Sequence, residues 1–273
     1  MKIITSALEL QKYLQTQQKT IGFVPTMGAL HDGHISLIQN ARKENELVVV
    51  SIFVNPTQFL AGEDLDKYPK KDEADKKICE LCGVDILFFP TKEDIYEEDE
   101  VSLVAPNVRG FILEGFSRPG HFNGVLTVVM KLFNIVNPTK AYFGKKDAQQ
   151  LHLIQLMVKQ LFIPITIVPI ETLRDKDGLA LSSRNTYLNS QQRKDALKIS
   201  SSLFLASQMI SQNILDIQTI KDAMKKKLHG VEIVYIEILN KEFQYLQKVE
   251  ITNTIILVEV KIGTTRLLDN IWL

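Results

Sequence analysis

The chain has 273 residues, of which 45% are apolar and 23% are charged, and its 32 basic residues balance its 32 acidic ones. This length fits one large domain or two smaller ones, and the apolar share is sufficient for a packed core, which excludes disorder over most of the chain. A protein that grips nucleic acid over a long track usually carries a basic excess. We therefore expect no nucleic-acid partner.

The beginning of the chain carries no long apolar run, and no uncharged apolar stretch reaches about 18 residues. We expect neither a signal peptide nor a membrane partner, and a cytoplasmic location. The only cysteines are Cys79 and Cys82. A zinc site would need further ligands, and a thioredoxin-like pair would follow a strand, so we interpret them as two small residues of a helix.

Short continuous apolar runs alternate with helical patterns along the first part of the chain. The runs predict buried strands at residues 21–24, 47–54, 86–89, 141–143 and 165–170. The helical patterns cover residues 7–17, 34–44, 72–81, 125–136 and 147–161. This alternation predicts an α/β domain with a doubly wound parallel sheet.

The pattern changes after residue 172, where residues 174–178 are rich in charge and turn formers. A long helix capped by Asn189 or Ser190 and a second helix over 217–228 precede strand-like runs at 231–239, 254–262 and 266–268. We therefore expect a larger α/β domain over 1–172 and a smaller C-terminal α+β domain over 173–273.

The most informative segment leads from the first long strand into a helix. It reads Pro25-Thr26-Met27-Gly28-Ala29-Leu30-His31-Asp32-Gly33-His34. The start of a helix attracts phosphate through unpaired N–H groups and the helix dipole, and a glycine there lets a ligand approach the backbone. Two histidines three residues apart can point the same way and donate to phosphate oxygens. One such histidine would be an ordinary cap, but the pair favours nucleotide binding.

Four further segments follow strands or open helices, and each has an ordinary structural alternative such as a turn, a helix cap or a linker. Asn55 and Gln58 carry amides for a small polar substrate. Arg118 and His121 stand beside two glycines. Lys146 can reach phosphate and Asp147 a ribose hydroxyl, and Ser182 and Ser183 precede Arg184, which offers a bidentate fork. The P-loop and dinucleotide signatures are absent.

Taken in chain order, these motifs resemble the pantothenate synthetase family. The matching patterns are Pro-Thr-Met-Gly-Ala-Leu-His-x-Gly-His, Phe-Val-Asn-Pro-x-Gln-Phe, Arg-Pro-Gly-His-Phe-x-Gly-Val, Phe-Gly-x-Lys-Asp-x-Gln-Gln and Ser-Ser-Arg-Asn. The resemblance continues weakly over residues 263–270. Leu181 stands where the family more often has Met, and Lys145 where an acidic residue is common. We expect Lys145 to face solvent.

The resemblance implies a Rossmann-like fold of the HIGH-type nucleotidyltransferase superfamily. It implies an ATP-dependent ligase that condenses pantoate with β-alanine through a pantoyl adenylate and releases AMP and pyrophosphate. It also implies Mg²⁺ as cofactor, a homodimer, and a C-terminal domain that acts as a lid. The Mg²⁺ ligands are not identified by the sequence.

The resemblance further implies residue roles. His31, His34, Lys146 and Arg184 are the expected catalytic residues, with His34 as the proton donor or its electrostatic equivalent. Gln58 and Gln150 should hold pantoate, with Gln58 also near β-alanine, and the substrate site should include Met27, Asn55 and Arg118. The expected ATP contacts are Pro25, Thr26, Met27, Gly28, Ala29, Leu30, His31, Asp32, Gly33, His34, Gly144, Lys145, Lys146, Asp147, Leu173, Leu181, Ser182, Ser183 and Arg184.

Three alternatives stay open at this point. A nucleotidylyltransferase would release a stable nucleotide-linked product, and a tRNA-charging enzyme would need a nucleic-acid-binding domain. A regulatory nucleotide-binding protein would need neither the amides of Gln58 and Gln150 nor both histidines.

Overall fold

The computed structural model describes every residue from Met1 to Leu273, and the chain divides into two compact units. The first unit comprises residues 1–145 and 149–171. The second comprises residues 146–148 and 172–273. None of the helices combines the length and the apolar character that crossing a membrane requires.

The first unit is built on a six-stranded parallel sheet. Its strands are β1 (Lys2–Ile4), β2 (Ile21–Thr26), β3 (Leu47–Ile52), β4 (Ile86–Phe88), β5 (Lys140–Gly144) and β6 (Thr166–Ile170). Their order is β1-β4-β3-β2-β5-β6, so β2 lies at the centre, between β3 and β5. This sheet confirms the predicted doubly wound architecture and gathers the carboxyl ends of all six strands at one edge.

Helices connect the strands of this sheet. They are α1 (Ala7–Gln15), α2 (Asp32–Glu44), α3 (Asp72–Leu81), α4 (Lys92–Ile95), α5 (Glu114–Ser117), α6 (His121–Val136) and α7 (Ala148–Gln160), with a 3-10 helix at Pro56–Gln58. All six residues of β3 are buried, which explains its unbroken apolar run. Leu37 and Ile38 of α2 and Cys79 of α3 pack against that strand in one apolar cluster.

Two elements differ informatively from the prediction. β2 continues through Pro25, because β5 pairs only with Gly22 and Phe23 and the ladder on that side has ended before the proline. α6 begins at His121, four residues before the predicted start at residue 125. Its polar first turn lies close to the 3-10 helix, where a Cβ on Gly124 would stand 2.4 Å from the Thr57 carbonyl oxygen.

The second unit combines two helices with a three-stranded antiparallel sheet, as predicted for an α+β domain. Its elements are α8 (Ser190–Ser211), α9 (Ile217–Lys227), β7 (Glu232–Asn240), β8 (Thr254–Ile262) and β9 (Thr265–Trp272), with a 3-10 helix at Ser183–Tyr187. Asn189 caps α8 through a reciprocal pair of bonds with Gln192. Leu203 of α8 and Val258 of β8 belong to the apolar core of this unit.

Candidate active site

The loop after β2 has an unusual backbone. Gly28 and Ala29 both have positive φ angles, of 84° and 50°. For alanine this conformation costs about 1–2 kcal/mol, so other contacts must hold it. Thr26 supplies one such contact, because its hydroxyl donates to the Ser51 carbonyl at 2.8 Å and accepts from the Gly28 amide at 3.3 Å. The other predicted ATP contacts of this unit include Pro25 in β2, Asp32 at the start of α2 and Gly144 at the end of β5.

The second support of this loop is Asp75 of α3, a residue that the sequence analysis did not select. Its carboxylate accepts hydrogen bonds from the amides of Ala29 and Leu30, each at 2.8 Å, and only 1% of the residue is exposed. Burial raises the pKa of Asp75, and the two amide bonds oppose that rise. One sequence signal existed: Asp75 lies one helical turn before Cys79, on the buried side of α3.

The two histidines of the motif form the cap of α2. His31 is the N-cap, and its Nδ1 accepts from the Gly33 amide at 3.1 Å, while Nδ1 of His34 accepts from the His31 amide at 3.3 Å. The two rings are tilted by 40° with centroids 4.1 Å apart. Because each Nδ1 accepts, each neutral ring carries its proton on Nε2. The pair therefore presents two N–H donors, the chemistry that a phosphate group requires.

Gly33 is required by this arrangement for a steric reason. A Cβ at this position would stand 2.8 Å from Cε1 of His31 and 3.0 Å from its Nδ1. Any side chain would therefore displace the imidazole that caps the helix.

Three residues predicted to bind substrate lie together at the ends of β2 and β3. The Nε2 amide of Gln58 donates to Sδ of Met27 at 3.0 Å, and its Oε1 accepts from Nδ2 of Asn55 at 3.1 Å. Oδ1 of Asn55 accepts from the Thr57 amide and the Tyr96 hydroxyl at 3.3 and 2.9 Å. Asn55 thereby fixes the orientation of the Gln58 side chain.

Arg118 and His121 lie behind Gln58 and bind its backbone. The carbonyl oxygen of Gln58 accepts from Nη2 of Arg118 at 3.2 Å and from Nδ1 of His121 at 2.7 Å. Arg118 also forms a two-bond ion pair with Glu63, at 2.8 and 2.5 Å. Arg118 is 8% exposed and has protein partners, so its predicted contact with substrate stays a prediction while the structure gives it a supporting role.

The paired glutamines at the start of α7 differ in their surroundings. Gln149 is fully buried and clamps a neighbouring segment: its Nε2 donates to the carbonyls of Arg109 and Ile112 at 2.8 Å, and its Oε1 accepts from the Glu114 amide at 3.1 Å. Sequence reasoning missed this clamp, because its partners lie 35 or more positions away. Gln150, the predicted pantoate residue, is half-buried on the first turn of the helix.

The two lysines of the Phe-Gly-x-Lys-Asp motif have different partners, which the sequence did not indicate. Lys145 does not simply face solvent: its side chain is 22% exposed and pairs with Glu171. Lys146 pairs with Asp147 at 3.3 Å, and its carbonyl accepts from Nδ2 of Asn270 in β9 at 2.8 Å. The weakly matching C-terminal motif thus holds the backbone of the predicted catalytic lysine.

In the second unit, Leu173 and Leu181 are brought side by side. The Leu181 amide donates to the Leu173 carbonyl at 3.0 Å, and the intervening chain turns at Gly178, whose φ is 93°. Arg174 attaches this hairpin to β9 through two bonds to Asp269, at 2.5 and 2.9 Å. The hairpin therefore brings two predicted ATP contacts, one on each arm, into adjacent positions.

The serine-rich motif forms the 3-10 helix Ser183–Tyr187. Ser182 is its N-cap, and its hydroxyl accepts from the Arg184 amide at 3.3 Å. The preceding hairpin is further held by Arg193 of α8, which pairs with Asp175 at 2.6 Å; the bond from the Lys176 amide and this pairing lower the pKa of the Asp175 carboxyl.

Comparisons with known proteins identify the relatives of this chain. The family model described as pantoate-beta-alanine ligase matches residues 2–272. The pantothenate synthetase of Sulfurimonas denitrificans is 64% identical over the full length of both chains. The crystal structure of pantothenate synthetase from Thermus thermophilus has a TM-score of 0.95 at 38% identity and covers 100% of this chain and 99% of its own.

A second structure carries ligands. The pantoate-beta-alanine ligase of Francisella tularensis, in complex with β-γ ATP and β-alanine, has a TM-score of 0.84 at 39% identity and covers 100% of this chain and 97% of its own. The match of the family model over nearly the whole chain and the full-length identity to a curated relative rest on sequence, independently of this fold. The chain therefore belongs to the pantoate–β-alanine ligase family.

Proposed function

We propose that this chain joins pantoate to β-alanine with His31 and His34 acting on the phosphates of ATP and Gln58 and Gln150 holding pantoate. The family makes the chain an ATP-dependent ligase with an adenylate intermediate, and decides against the nucleotidylyltransferase, tRNA-charging and regulatory alternatives. The observation that carries the residue assignment is the pair of adjacent histidine rings at the start of α2, with the Nε2 proton of each neutral ring set by the cap.

In the first step a carboxylate oxygen of pantoate attacks the α-phosphorus of ATP. The bond between that phosphorus and the bridging oxygen breaks, and pyrophosphate leaves with the negative charge. The N–H donors of His31 and His34 and the cations of Lys146 and Arg184 are assigned to that charge. Removing one preorganised donor of this kind typically costs about 10²–10³-fold in rate.

In the second step the amine of β-alanine attacks the acyl carbon of the adenylate. The bond from that carbon to the AMP oxygen breaks, the amine releases a proton, and AMP leaves. Pantothenate and AMP are the products. We assign the side-chain amide of Gln58, which bonds with Asn55 and Met27, to the place where pantoate meets β-alanine.

The resemblance also implies Mg²⁺, for which the side chains of this chain form no binding cluster. No group of three or more His, Cys, Asp or Glu side chains is placed to hold a metal ion. The chain therefore offers no protein cage for a cation. ATP sites commonly hold Mg²⁺ through phosphates and water, and we assign its binding to ATP, with no step of the mechanism routed through it.

The reaction can be tested with pantoate labelled with ¹⁸O in its carboxylate. Attack on the α-phosphorus predicts that one labelled oxygen appears in AMP, and that turnover requires both pantoate and β-alanine. Mass spectrometry of the nucleotide products measures this. Formation of ADP, or AMP without label, would contradict the adenylate route.

The pantoate assignment can be tested with Gln150→Ala. Losing this amide should raise KM for pantoate more than KM for ATP, because only the pantoate contact is removed. Gln155→Ala, an exposed residue of the same helix, is the matched control. Equal losses for both substrates would assign Gln150 to the integrity of the site instead.

The homodimer implied by the resemblance is also a proposal. Four strongly exposed apolar side chains lie within residues 101–116: Val101, Val104, Val108 and Phe116, at 86%, 68%, 69% and 79% exposure. Such a concentration favours a protein contact. Val104→Glu should shift the molar mass measured by light scattering toward the monomer, and Phe204→Glu, on an exposed site of α8, should not. A monomeric parent chain would contradict the proposal.

Two further proposals follow from the resemblance. The domain over residues 173–273 is proposed to act as a lid, and the enzyme is proposed to work in the cytoplasm. The predicted ATP residues Leu173 and Leu181 to Arg184 support the first role. Hydrogen exchange of residues 173–187 should slow when a non-hydrolysable ATP analogue binds; unchanged exchange would contradict a lid.

A further inference from the structure

The loop that carries the histidine cap is held by Asp75, a residue outside the sequence patterns quoted above. Asp75 contributes a buried carboxylate whose two oxygens each accept one amide of the loop, from Ala29 and Leu30, at 2.8 Å. Bonds from amides to an ionised carboxylate are stronger than those between neutral groups. Both oxygens are used, so the carboxylate fixes the orientation as well as the position of the loop.

The amides that Asp75 holds belong to the strained part of the chain. Gly28 and Ala29 have φ angles of 84° and 50°. A Cβ on Gly28 would stand 3.0 Å from Oδ2 of Asp75, so carboxylate and loop are in close contact. His31, the N-cap of α2, is the next residue after Leu30. A change in the loop is therefore transmitted directly to the cap that orients both imidazoles.

We propose that Asp75 is a positioning residue for adenylate formation, which holds the Gly28–Leu30 backbone so that His31 and His34 present their Nε2 protons to the phosphates of ATP. This inference rests on the proposed function of the histidines. Asp75 itself contacts neither reacting group; it acts through the loop.

A purely structural role for Asp75 would make a different prediction. Burial opposes the ionised form of this carboxyl, so the charge costs the folded chain stability that a neutral side chain of equal size would not cost. The two amide bonds offset that cost, and Asp75→Asn leaves one amide N–H without an acceptor, so a purely structural role predicts a lower melting temperature with parental kcat/KM in the protein that stays folded. A positioning residue loses catalysis in the same variant, because asparagine offers one acceptor and turns its NH₂ group toward an amide N–H.

The first experiment compares Asp75→Asn with Asp72→Asn. Asp72 lies in the same first turn of α3, is exposed, and forms no hydrogen bond with residues 28–30. We expect Asp75→Asn to lower kcat/KM for ATP about 100-fold, the scale of a misplacement near 1 Å, at a temperature where circular dichroism shows that the variant is folded. Asp72→Asn should be unchanged. A folded Asp75→Asn variant with parental kcat/KM would overturn the proposal.

The second experiment uses the space beside Asp75. A cavity of about 310 Å³ borders the carboxylate and the loop, with Met27, Gly28 and Phe53 in its walls and Lys70 and Lys92 among its lining residues. Asp75→Ala vacates the space of the carboxylate, which lies between this cavity and the two amides that the carboxylate binds. Formate, a carboxylate of minimal size, should enter and accept both bonds, and restore activity at least tenfold in a saturable manner.

The controls make the rescue specific. Formate should not stimulate the parent chain or Asp75→Asn, where the position is filled, and chloride should not replace it. A folded Asp75→Ala variant that formate leaves inactive would overturn the proposal, and so would parental activity without formate. Affinity for a non-hydrolysable ATP analogue, measured by calorimetry, should fall in Asp75→Asn. If the parent chain fails to turn over pantoate, the proposed function fails, but this binding comparison still tests the loop.

Discussion

Two loops carry most of the residues predicted to contact ATP, and they are held by different physical means. The loop of residues 27–34 is fixed by hydrogen bonds that its backbone amides donate to a buried carboxylate, a buried threonine and two capping imidazoles. The hairpin of residues 173–181 is fixed by ion pairs, Arg174 with Asp269 and Arg193 with Asp175. Both arginine side chains are about one third exposed, at 30% and 35%.

This difference indicates that salt should weaken the second loop more than the first. Buried hydrogen bonds to backbone amides respond little to ionic strength, whereas partly exposed ion pairs weaken as salt screens them. The first loop is therefore held in place without a ligand. The second should open locally at a lower free energy, as the proposed lid role requires.

The largest effect should come from the histidine at the end of the first loop, in the first turn of α2. His34→Ala removes the proposed phosphate donor and one half of the cap, and we expect kcat/KM for ATP to fall about 10²–10³-fold. Pyrophosphate release measures this, and circular dichroism checks the fold. His229→Ala, an exposed histidine of the second unit, is the control. Near-parental activity would remove His34 from the mechanism.

The next largest effect tests whether activity depends on the position of the His31 ring in the cap. Gly33→Ala adds a methyl group 2.8 Å from Cε1 of His31, which must move. Activity should fall about 10- to 100-fold, while alanine, a better helix former, preserves α2. Ser36→Ala in the same helix should have no such effect. If Gly33→Ala were fully active, the position of the His31 ring would be unimportant.

A smaller effect is expected where the second loop is attached. Asp269→Asn breaks a two-bond pair with Arg174 whose carboxylate is 3% exposed, and should destabilise the second unit by about 1–3 kcal/mol. Trp272 is the only tryptophan and lies in the same strand, so its fluorescence during urea unfolding reports this unit. Asp177→Asn, in a more exposed pair with Arg193, should cost less than about 1 kcal/mol. The reverse order would refute this account of the hairpin.

The smallest effect concerns pH and the carboxylate of Asp75, which holds the first loop. Burial raises the folded pKa of Asp75 above its ordinary value of 3.8; Asp72 adds to the rise, and Lys71 and the two amides oppose it. The folded chain therefore binds this proton more tightly than the unfolded chain does. The stability gained in this way is fully present below pH 3.8 and is lost as pH rises through the folded pKa. Hydrogen exchange of β2 and β3 should therefore show a smaller loss of protection with rising pH in Asp75→Asn than in the parent. Identical profiles would contradict this.

The fold was largely predictable, because buried parallel strands are continuous apolar runs and the runs at residues 47–54 and 86–89 mark β3 and β4 closely. The short edge strand Lys2–Ile4 was missed, since only Ile4 of its three residues is buried. The start of α6 was missed because its first turn is polar and gains its place from contact with the 3-10 helix, which no local pattern encodes.

The candidate site was predictable where one segment supplies both the backbone and the side chains, as in residues 25–34. It was not predictable where the support comes from elsewhere. Asp75 lies 45 positions from Leu30, and Asn270 lies 124 positions from Lys146. Such partners are selected by tertiary packing, and a single sequence contains no local signal for the pairing beyond a polar residue on a buried helix face.

The histidine cap also constrains what can inhibit this enzyme. Because the backbone amides fix the inner nitrogen of both rings, the outer nitrogens of the neutral rings are hydrogen-bond donors. A compound designed for this position must therefore offer two acceptors, such as the oxygens of a sulfonyl or sulfamoyl group, at a spacing compatible with rings 4.1 Å apart. A compound that offers a donor there would force a ring to give up its cap, so we expect the proposed phosphate site to favour acceptor-rich linkers.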